Sequence, residues 1–144
     1  MDLMTSIKIS SSALSAHRTK VNVISENIAN SETTRTEDGG PYRRKLIALK
    51  SLPIENFEET LQSAETEFDG VEVDEIVASQ EDFRMVYNPG HPDADPDTGY
   101  VKMPNVDTLS EMADMLVAKR SYDASITVIE NTKSMINKAL SIGD

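Results

Sequence analysis

The chain has 144 residues, of which 38% are hydrophobic and 5% aromatic, with no tryptophan, no cysteine and a formal net charge of −11. This length fits one domain, the missing cysteines exclude disulfides and thiolate metal sites, and no apolar run approaches the roughly 20 residues of a membrane span. Residues 51–110 hold 15 acidic and two basic side chains, which argues against nucleic acid or an anionic membrane as a partner. Without an apolar span, no direct membrane insertion is expected.

Residues 3–30 are predicted to form an amphipathic helix. One apolar stripe repeats every seven residues, with Leu3 and Ile24 beside it: Ile7, Leu14, Val21 and Ile28. A helix with such a stripe needs partner helices to bury it. Its end contains Asn22, Asn27 and Asn30. These asparagines either cap the helix and face solvent, because Asn tolerates the left-handed conformation, or hydrogen-bond neighbouring subunits.

The middle of the chain is predicted to be a small β-rich region. Gly39-Gly40-Pro41 closes a polar loop, and strands are expected at 42–49, 70–78, 83–87 and 100–103, separated by turn-forming residues. Residues 54–69 are Glu-rich with few apolar anchors and are predicted to be a loop or weak helix. The basic run Arg43-Arg44-Lys45 is expected to form ion pairs with the acidic middle rather than bind phosphate.

A second helix of about 34 residues is predicted from Asp107, a suitable N-cap, to Ile142, with Gly143 as its stop. Its apolar residues follow alternating steps of three and four: Met112, Met115, Tyr122, Ile126, Ile129, Ile136 and Leu140. The predicted fold class is α+β, with long terminal helices paired as a coiled coil. We expect residues 1–34 and 107–144 to form one discontinuous helical domain, and residues 35–106 the β-rich part.

No catalytic, cofactor or metal site is predicted. A calcium loop beginning at Asp93 would need Gly and Glu where Thr98 and Pro104 stand. His17 and His91 have no second ligand at metal spacing. A hydrolase with Asp93 and Asp97 as paired carboxylates would need an apolar pocket that the sequence does not indicate. The chain is therefore not expected to be an enzyme.

The segment Asn27-Ile28-Ala29-Asn30 followed by Thr33 or Thr34 resembles the N-terminal signature of the axial proteins of the bacterial flagellum. Further segments, in order along nearly the whole chain, are similar to proximal-rod proteins of the flagellar basal body: Gly40-Pro41-Tyr42-Arg43-Arg44-Lys45, His91-Pro92-Asp93-Ala94-Asp95, Gly99-Tyr100-Val101, Pro104-Asn105-Val106-Asp107, Glu111-Met112, Asp114-Met115, Arg120-Ser121-Tyr122-Asp123-Ala124 and Lys138-Ala139-Leu140.

The resemblance implies a structural subunit of the proximal rod that polymerises through its terminal helices. Implied partners are other rod proteins, the membrane-ring and export-gate proteins at the rod base, and copies of itself. The implied location is the basal body in its periplasmic span. Export through the flagellar type III apparatus, without a cleaved signal peptide, agrees with a start that lacks a basic patch and an apolar run.

The expected assembly interface combines both apolar stripes with two asparagines: Ile7, Leu14, Val21, Ile24, Asn27, Ile28, Asn30, Met112, Met115, Tyr122, Ile126, Ile129, Ile136 and Leu140. Arg18, Lys20 and Arg120 are expected to add polar contacts between subunits. The alternative function is a soluble acidic adaptor or binding module, whose acidic middle would be the recognition surface.

Overall fold

A computed structural model of the chain describes residues 3–37, 39–53 and 69–142. Within these ranges the elements follow in this order: α1 (Leu3–Ala29), β1 (Lys45–Pro53), β2 (Asp69–Ala78), β3 (Arg84–Tyr87), β4 (Tyr100–Met103) and α2 (Thr108–Ile142). Two long terminal helices thus flank four short strands, and the predicted α+β class is confirmed. The prediction for residues 54–68 lies outside the described residues, whereas Asp69, predicted as loop or weak helix, begins β2.

Helix α1 ends without a left-handed residue, since no non-glycine residue in the described ranges has positive φ. Asn30 instead caps the helix with its side chain, whose Nδ2 donates to the Glu26 carbonyl oxygen at 2.9 Å. The Ser31 hydroxyl donates to the Ile28 carbonyl at 2.8 Å. Both carbonyls also accept backbone amides, from Asn30 at 3.1 Å and Ser31 at 3.2 Å, so each side chain adds a second donor at the helix end. The expected capping role of Asn30 is confirmed, through its side-chain amide and its backbone N–H rather than through a left-handed conformation.

Helix α2 begins as the sequence predicts. Asp107 Oδ1 accepts a hydrogen bond from the Leu109 amide at 3.1 Å, and the Asp107 carbonyl accepts the first helical bond from Glu111 N at 2.9 Å. The helix has 35 residues, a length of about 52 Å. Its expected stop, Gly143, lies outside the described residues.

The strands form two antiparallel hairpins, β1–β2 and β3–β4. In the first, Ala48 pairs with Glu75 but Leu49 pairs with Val73, which leaves Asp74 as a bulged residue. The bulge brings Asp74 Oδ1 to 3.1 Å from Lys50 Nζ. Hydrogen bonding to Asp74 is the main cause of a raised pKa of Lys50. The bulge therefore gives the exposed cation a local partner.

Helix α1 is the centre of the fold, because α2, β1 and β2 all pack against it. On the side facing β2, Ser12 Oγ accepts a hydrogen bond from the Val71 amide at 3.1 Å. Ala16, Val23 and Ile24 of α1 are buried. One helix therefore carries both the hairpin and the second helix.

The two helices run antiparallel. The last turn of α1 contacts the first turn of α2 through Asn27 and Glu111, and both helices also bury a residue near their opposite ends, Thr5 and Thr132. Both helices rise by the same distance per residue. Counted from the Asn27–Glu111 contact, the start of α1 at Leu3 therefore lies beside residue 135 of α2. The end of α2 therefore extends past α1, which explains why Leu140 is 68% exposed.

Candidate assembly interface

A buried polar junction joins the two helices to the first strand. At its centre, the Asn27 side chain is 1% exposed. Its Nδ2 donates to the Lys45 carbonyl at 2.9 Å and to Glu111 Oε2 at 3.1 Å. Its Oδ1 accepts from Tyr42 Oη and from the Lys45 amide, both at 2.9 Å. Both amide hydrogens and both carbonyl lone pairs are thus used within the chain.

Glu111 is the charged member of this junction, and its side chain is 2% exposed. Oε1 accepts a hydrogen bond from Arg44 Nε at 2.6 Å, while Oε2 accepts from Asn27. A buried carboxylate is tolerated only when it is paired and hydrogen-bonded, and both conditions hold here. Its place in the first turn of α2 adds the favourable field of the helix N-terminus.

Among the described residues, the acidic partners of the basic run come from the helices and not from the acidic middle. Arg44 pairs with Glu111, and Lys45 pairs with Glu26 of α1. Arg43 lies 4.3 Å from the centre of the Phe83 ring and donates to backbone carbonyl groups. The chain enters β1 between the end of α1 and the start of α2. The carboxylates of Glu26 and Glu111 on these helices therefore lie next to the cations.

Burial, together with the negative charges of Glu26 and Glu111, raises the pKa of Tyr42 from 10.0 to about 12. The neutral hydroxyl is the form that donates to Asn27, so ionisation breaks a junction bond. Because its pKa is raised in the folded chain, the Tyr42 hydroxyl contributes stability to the fold. This contribution is fully present below the unfolded pKa of 10.0 and is lost as pH rises toward 12.

The substitution Tyr42→Phe is expected to lower the free energy of unfolding by about 1 kcal/mol near neutral pH, because Asn27 Oδ1 keeps only one of its two donors. Above about pH 10 the difference between wild type and variant is expected to shrink, since the wild type loses its Tyr42 contribution. Urea denaturation of both proteins from about pH 8 to about pH 11 measures this. A difference that stays constant across that range would contradict the assignment.

A groove of about 200 Å³ lies beside the junction, between α1, β1 and the start of α2. Its walls are apolar side chains of α1 and β1, namely Val23, Ile24, Leu46, Ile47 and Leu49, and its charged lining includes Lys20, Arg44 and Asp114. The groove shows that the hairpin does not fill the angle between the two helices.

The apolar predicted interface residues of α1 share one side of the helix, and Asn27 and Asn30 lie further round it. Ile24 and Asn27 are buried, and the others are half-buried: Ile7, Leu14, Val21, Ile28 and Asn30. We call the apolar members of this set the α1 stripe: Ile7, Leu14, Val21, Ile24 and Ile28. Ser12, which faces β2, lies on a different side of the helix from the α1 stripe.

The predicted residues of α2 divide into two groups. The first is half-buried and is called here the α2 stripe: Met115, Tyr122, Ile126, Ile129 and Ile136. The second, Met112 at 50% and Leu140 at 68% exposed, does not share this burial. Between the members of the α2 stripe lie Glu111, Ala118 and Thr132, which are the most buried residues of the helix. A search for apolar residues misses them, although their spacings of seven and fourteen residues match the repeat of the stripe.

The loop between β3 and β4 has a structural role in the described ranges. The carboxylate of Asp93 accepts from Thr34 Oγ1 at 2.8 Å and pairs with Arg35, so it ties this loop to the one after α1. The hydrogen bond from Thr34 is the main cause of a lowered pKa of Asp93. Asp95 Oδ1 accepts from the Asp97 amide at 2.9 Å, an Asx turn. The described residues contain no cluster of three or more potential metal ligands.

Comparison with known proteins places this helix pair in the class of flagellar rod proteins. Residues 7–35 match the family "Flagella basal body rod protein", and residues 97–142 match "Flagellar basal body rod FlgEFG protein C-terminal". Most of the first match lies within α1, and the second covers all of α2. None of the described helices has the length and apolar character to cross a membrane.

Full-length relatives define the family more narrowly. "Flagellar basal-body rod protein FlgC" of Bacillus subtilis is 42% identical to this chain, with 99% of each covered. The proteins of the same name from Borreliella burgdorferi (99% of this chain, 98% of the relative) and Escherichia coli O6:H1 (99% of each) are 39% and 38% identical. The chain belongs to the FlgC family of flagellar basal-body rod proteins. It is a structural protein, and the expectation that it is not an enzyme is confirmed by this membership.

Proposed function

We propose that this chain enters the proximal rod through its two terminal helices, which pair as a coiled coil and pack against helices of neighbouring subunits. The α1 stripe and the α2 stripe form the seam of this pair. The helical segments 1–34 and 107–144 then act as one discontinuous domain, and residues 35–106 set the spacing between subunits at larger radius. Contacts between different faces of successive subunits generate an open helical assembly.

The half-buried state of every stripe residue except the buried Ile24 supports this proposal. In a pair of helices each stripe is covered from one side only, so Ile129, Tyr122 and Leu14 remain partly accessible. Outside the stripe, α2 exposes further large apolar side chains: Leu109 at 78%, Leu116 at 60%, Val117 at 59% and Met135 at 52%. Exposed apolar area on this scale is typical of a surface that is covered in an assembly.

The proposed partners are other rod proteins, the membrane-ring and export-gate proteins at the rod base, and copies of this chain. The proposed location is the periplasmic span of the basal body, reached through the flagellar type III apparatus without a cleaved signal peptide. Family membership and the apolar surface of α2 support this proposal. Of the three asparagines, Asn22 is exposed and thus accessible to a neighbouring subunit, whereas Asn27 is used inside the chain.

The soluble acidic adaptor is the weaker candidate, because family membership does not favour it. The two functions predict different behaviour of the free monomer. Before assembly, a rod subunit should exchange amide hydrogens readily in the parts of both terminal helices remote from the junction, whereas an adaptor should protect α1 strongly along its whole length. Hydrogen exchange on the purified monomer measures this difference.

The substitution Ile129→Asp or Met115→Asp is expected to abolish rod assembly and motility, because each places a carboxylate without a partner in the proposed seam. The measurement is swimming in soft agar and the number of rods in basal bodies isolated from cells whose only copy is the variant. Ile129→Leu is the matched control, since it keeps an apolar side chain of the same volume and should assemble. Normal motility of both aspartate variants would rule out the proposed packing.

A further inference from the structure

The outer side of α1 is polar and uncovered. Its residues follow steps of four and three and are all exposed: Met4, Lys8, Ser11, Ser15, Arg18, Asn22, Ser25 and Ala29. Within the described part of the chain, neither Lys8 nor Arg18 forms an ion pair with an acidic side chain. This outer α1 face is therefore a cationic surface without a partner in its own subunit.

One outer side of α2 has the complementary character. It is also fully exposed and follows the same steps: Leu109, Met112, Leu116, Lys119, Asp123, Thr127, Glu130 and Ser134. Large apolar residues occupy its first part, and the acidic Asp123 and Glu130, neither of which has an ion-pair partner among the described residues, occupy its second. We call this the outer α2 face.

We propose that the outer α1 face of one copy packs against the outer α2 face of a second copy, antiparallel, with Arg18 beside Asp123 and Ser25 beside Leu116. The proposal rests on the function proposed above and specifies which faces meet. Oppositely charged groups at matching positions select the partner and the register of such a contact.

The proposed register matches the sizes of the facing side chains as well as their charges. With Arg18 opposite Asp123, the small residues Ser25 and Ala29 stand opposite Leu116 and Met112. Side chains of one helix then fit between those of the other, as helix packing requires. On the same alignment Lys119 meets the neutral Asn22, while Lys8 falls level with Lys133, which lies outside the outer α2 face. Large residues on α2 thus meet small residues on α1 along the first half of the contact.

The charges on a second exposed apolar side of α2 make that side an unsuitable partner for the outer α1 face. That side contains Val117, Val128 and Met135, together with Arg120 and Lys138. If the outer α1 face packed against that side instead, Arg18 would approach Arg120, and repulsion between the two positive charges would oppose association. The acidic side is therefore the one that fits α1 of a second copy.

The antiparallel direction agrees with side-by-side copies. Because α1 and α2 are antiparallel inside one chain, two copies standing in the same orientation also present α1 and α2 to each other antiparallel. The Arg18–Asp123 alignment differs from the internal Asn27–Glu111 alignment by about three residues, on the order of 5 Å along the axis. A displacement of this kind between equivalent copies produces a helical array rather than a closed pair.

Cross-linking tests the contact, and the absence of native cysteine makes every thiol an introduced one. The chain carrying Ser25→Cys and Leu116→Cys is expressed as the only copy, and isolated basal bodies are treated with a short bismaleimide. Covalent multimers on a denaturing gel are expected in excess of the control by about tenfold. The control carries Ser25→Cys and Ser134→Cys, because Ser134 lies on the same face but about 25 Å along the helix.

The proposed contact would be wrong if the chain with Ser25→Cys and Leu116→Cys formed no multimers, or formed no more of them than the control chain. If the cysteine chain does not enter basal bodies, charge reversal decides: Arg18→Asp and Asp123→Arg should each reduce rod number, and together restore it. Failure of the double variant to recover, or unaffected single variants, would likewise overturn it. If the contact fails these tests but Ile129→Asp still abolishes assembly, the proposed function holds and only this contact is wrong.

Discussion

The substitution Glu111→Ala is expected to lower the free energy of unfolding by about 3 kcal/mol, the lower end of the range for breaking a buried ion pair. The lower end applies because Arg44 is 24% exposed and has Asp114 3.7 Å away, so water and a second carboxylate partly compensate it. Asn27 would also lose one acceptor for its amide group. Urea denaturation of the purified monomer measures the change.

Asp114→Ala is the matched control for this prediction. It removes a carboxylate that also faces Arg44, from the same side of the same helix, but Asp114 is 51% exposed. Exposed pairs contribute about 0–1 kcal/mol, so little change is expected. The double variant Arg44→Met with Glu111→Met should be more stable than Glu111→Ala, because no charge remains buried alone. Equal effects of Glu111→Ala and Asp114→Ala would show that the junction does not bear on stability.

The junction connects stability to assembly. Asn27 belongs to α1, Lys45 to β1 and Glu111 to α2, so one set of hydrogen bonds fixes the angle of the hairpin to the helix pair. If residues 35–106 set the spacing between subunits, that angle decides where each hairpin meets its neighbour. Weakening the junction should then impair rod assembly even when both helical stripes are intact.

The elements of this fold follow from local sequence patterns. The seven-residue repeat from Ile7 to Ile28 predicts α1, and Asp107 predicts the start of α2 to within one residue. Glycine and proline between the apolar runs predict the four strands, although β1 runs over Lys45–Pro53 rather than 42–49. These signals lie within a few residues of each other, so they are visible before any tertiary contact forms.

The junction could not be predicted in the same way, because its partners are far apart in the chain. Asn27 and Glu111 are separated by 84 residues, and Arg44 and Glu111 by 67. The sequence drew attention to Asn27, but not to its internal partners. Glu111 looked like an ordinary first-turn carboxylate, since a helix N-terminus favours acid whether it is exposed or buried.

The substitution Asn27→Ala is expected to lower the free energy of unfolding by about 3 kcal/mol, since it leaves the Lys45 amide, the Lys45 carbonyl and one Glu111 oxygen without that partner. Each buried polar group left unpaired costs about 1–3 kcal/mol, and the groove beside the junction can admit water that offsets part of the sum. Asn22→Ala, at an exposed position of the same helix, should change stability by no more than about 0.5 kcal/mol. Hydrogen exchange adds a local readout: the Lys45 amide should lose protection in Asn27→Ala and keep it in Asn22→Ala. If both variants unfold at the same urea concentration as wild type, Asn27 does not hold the hairpin to the helices, and the proposed link between the junction and rod spacing fails with it.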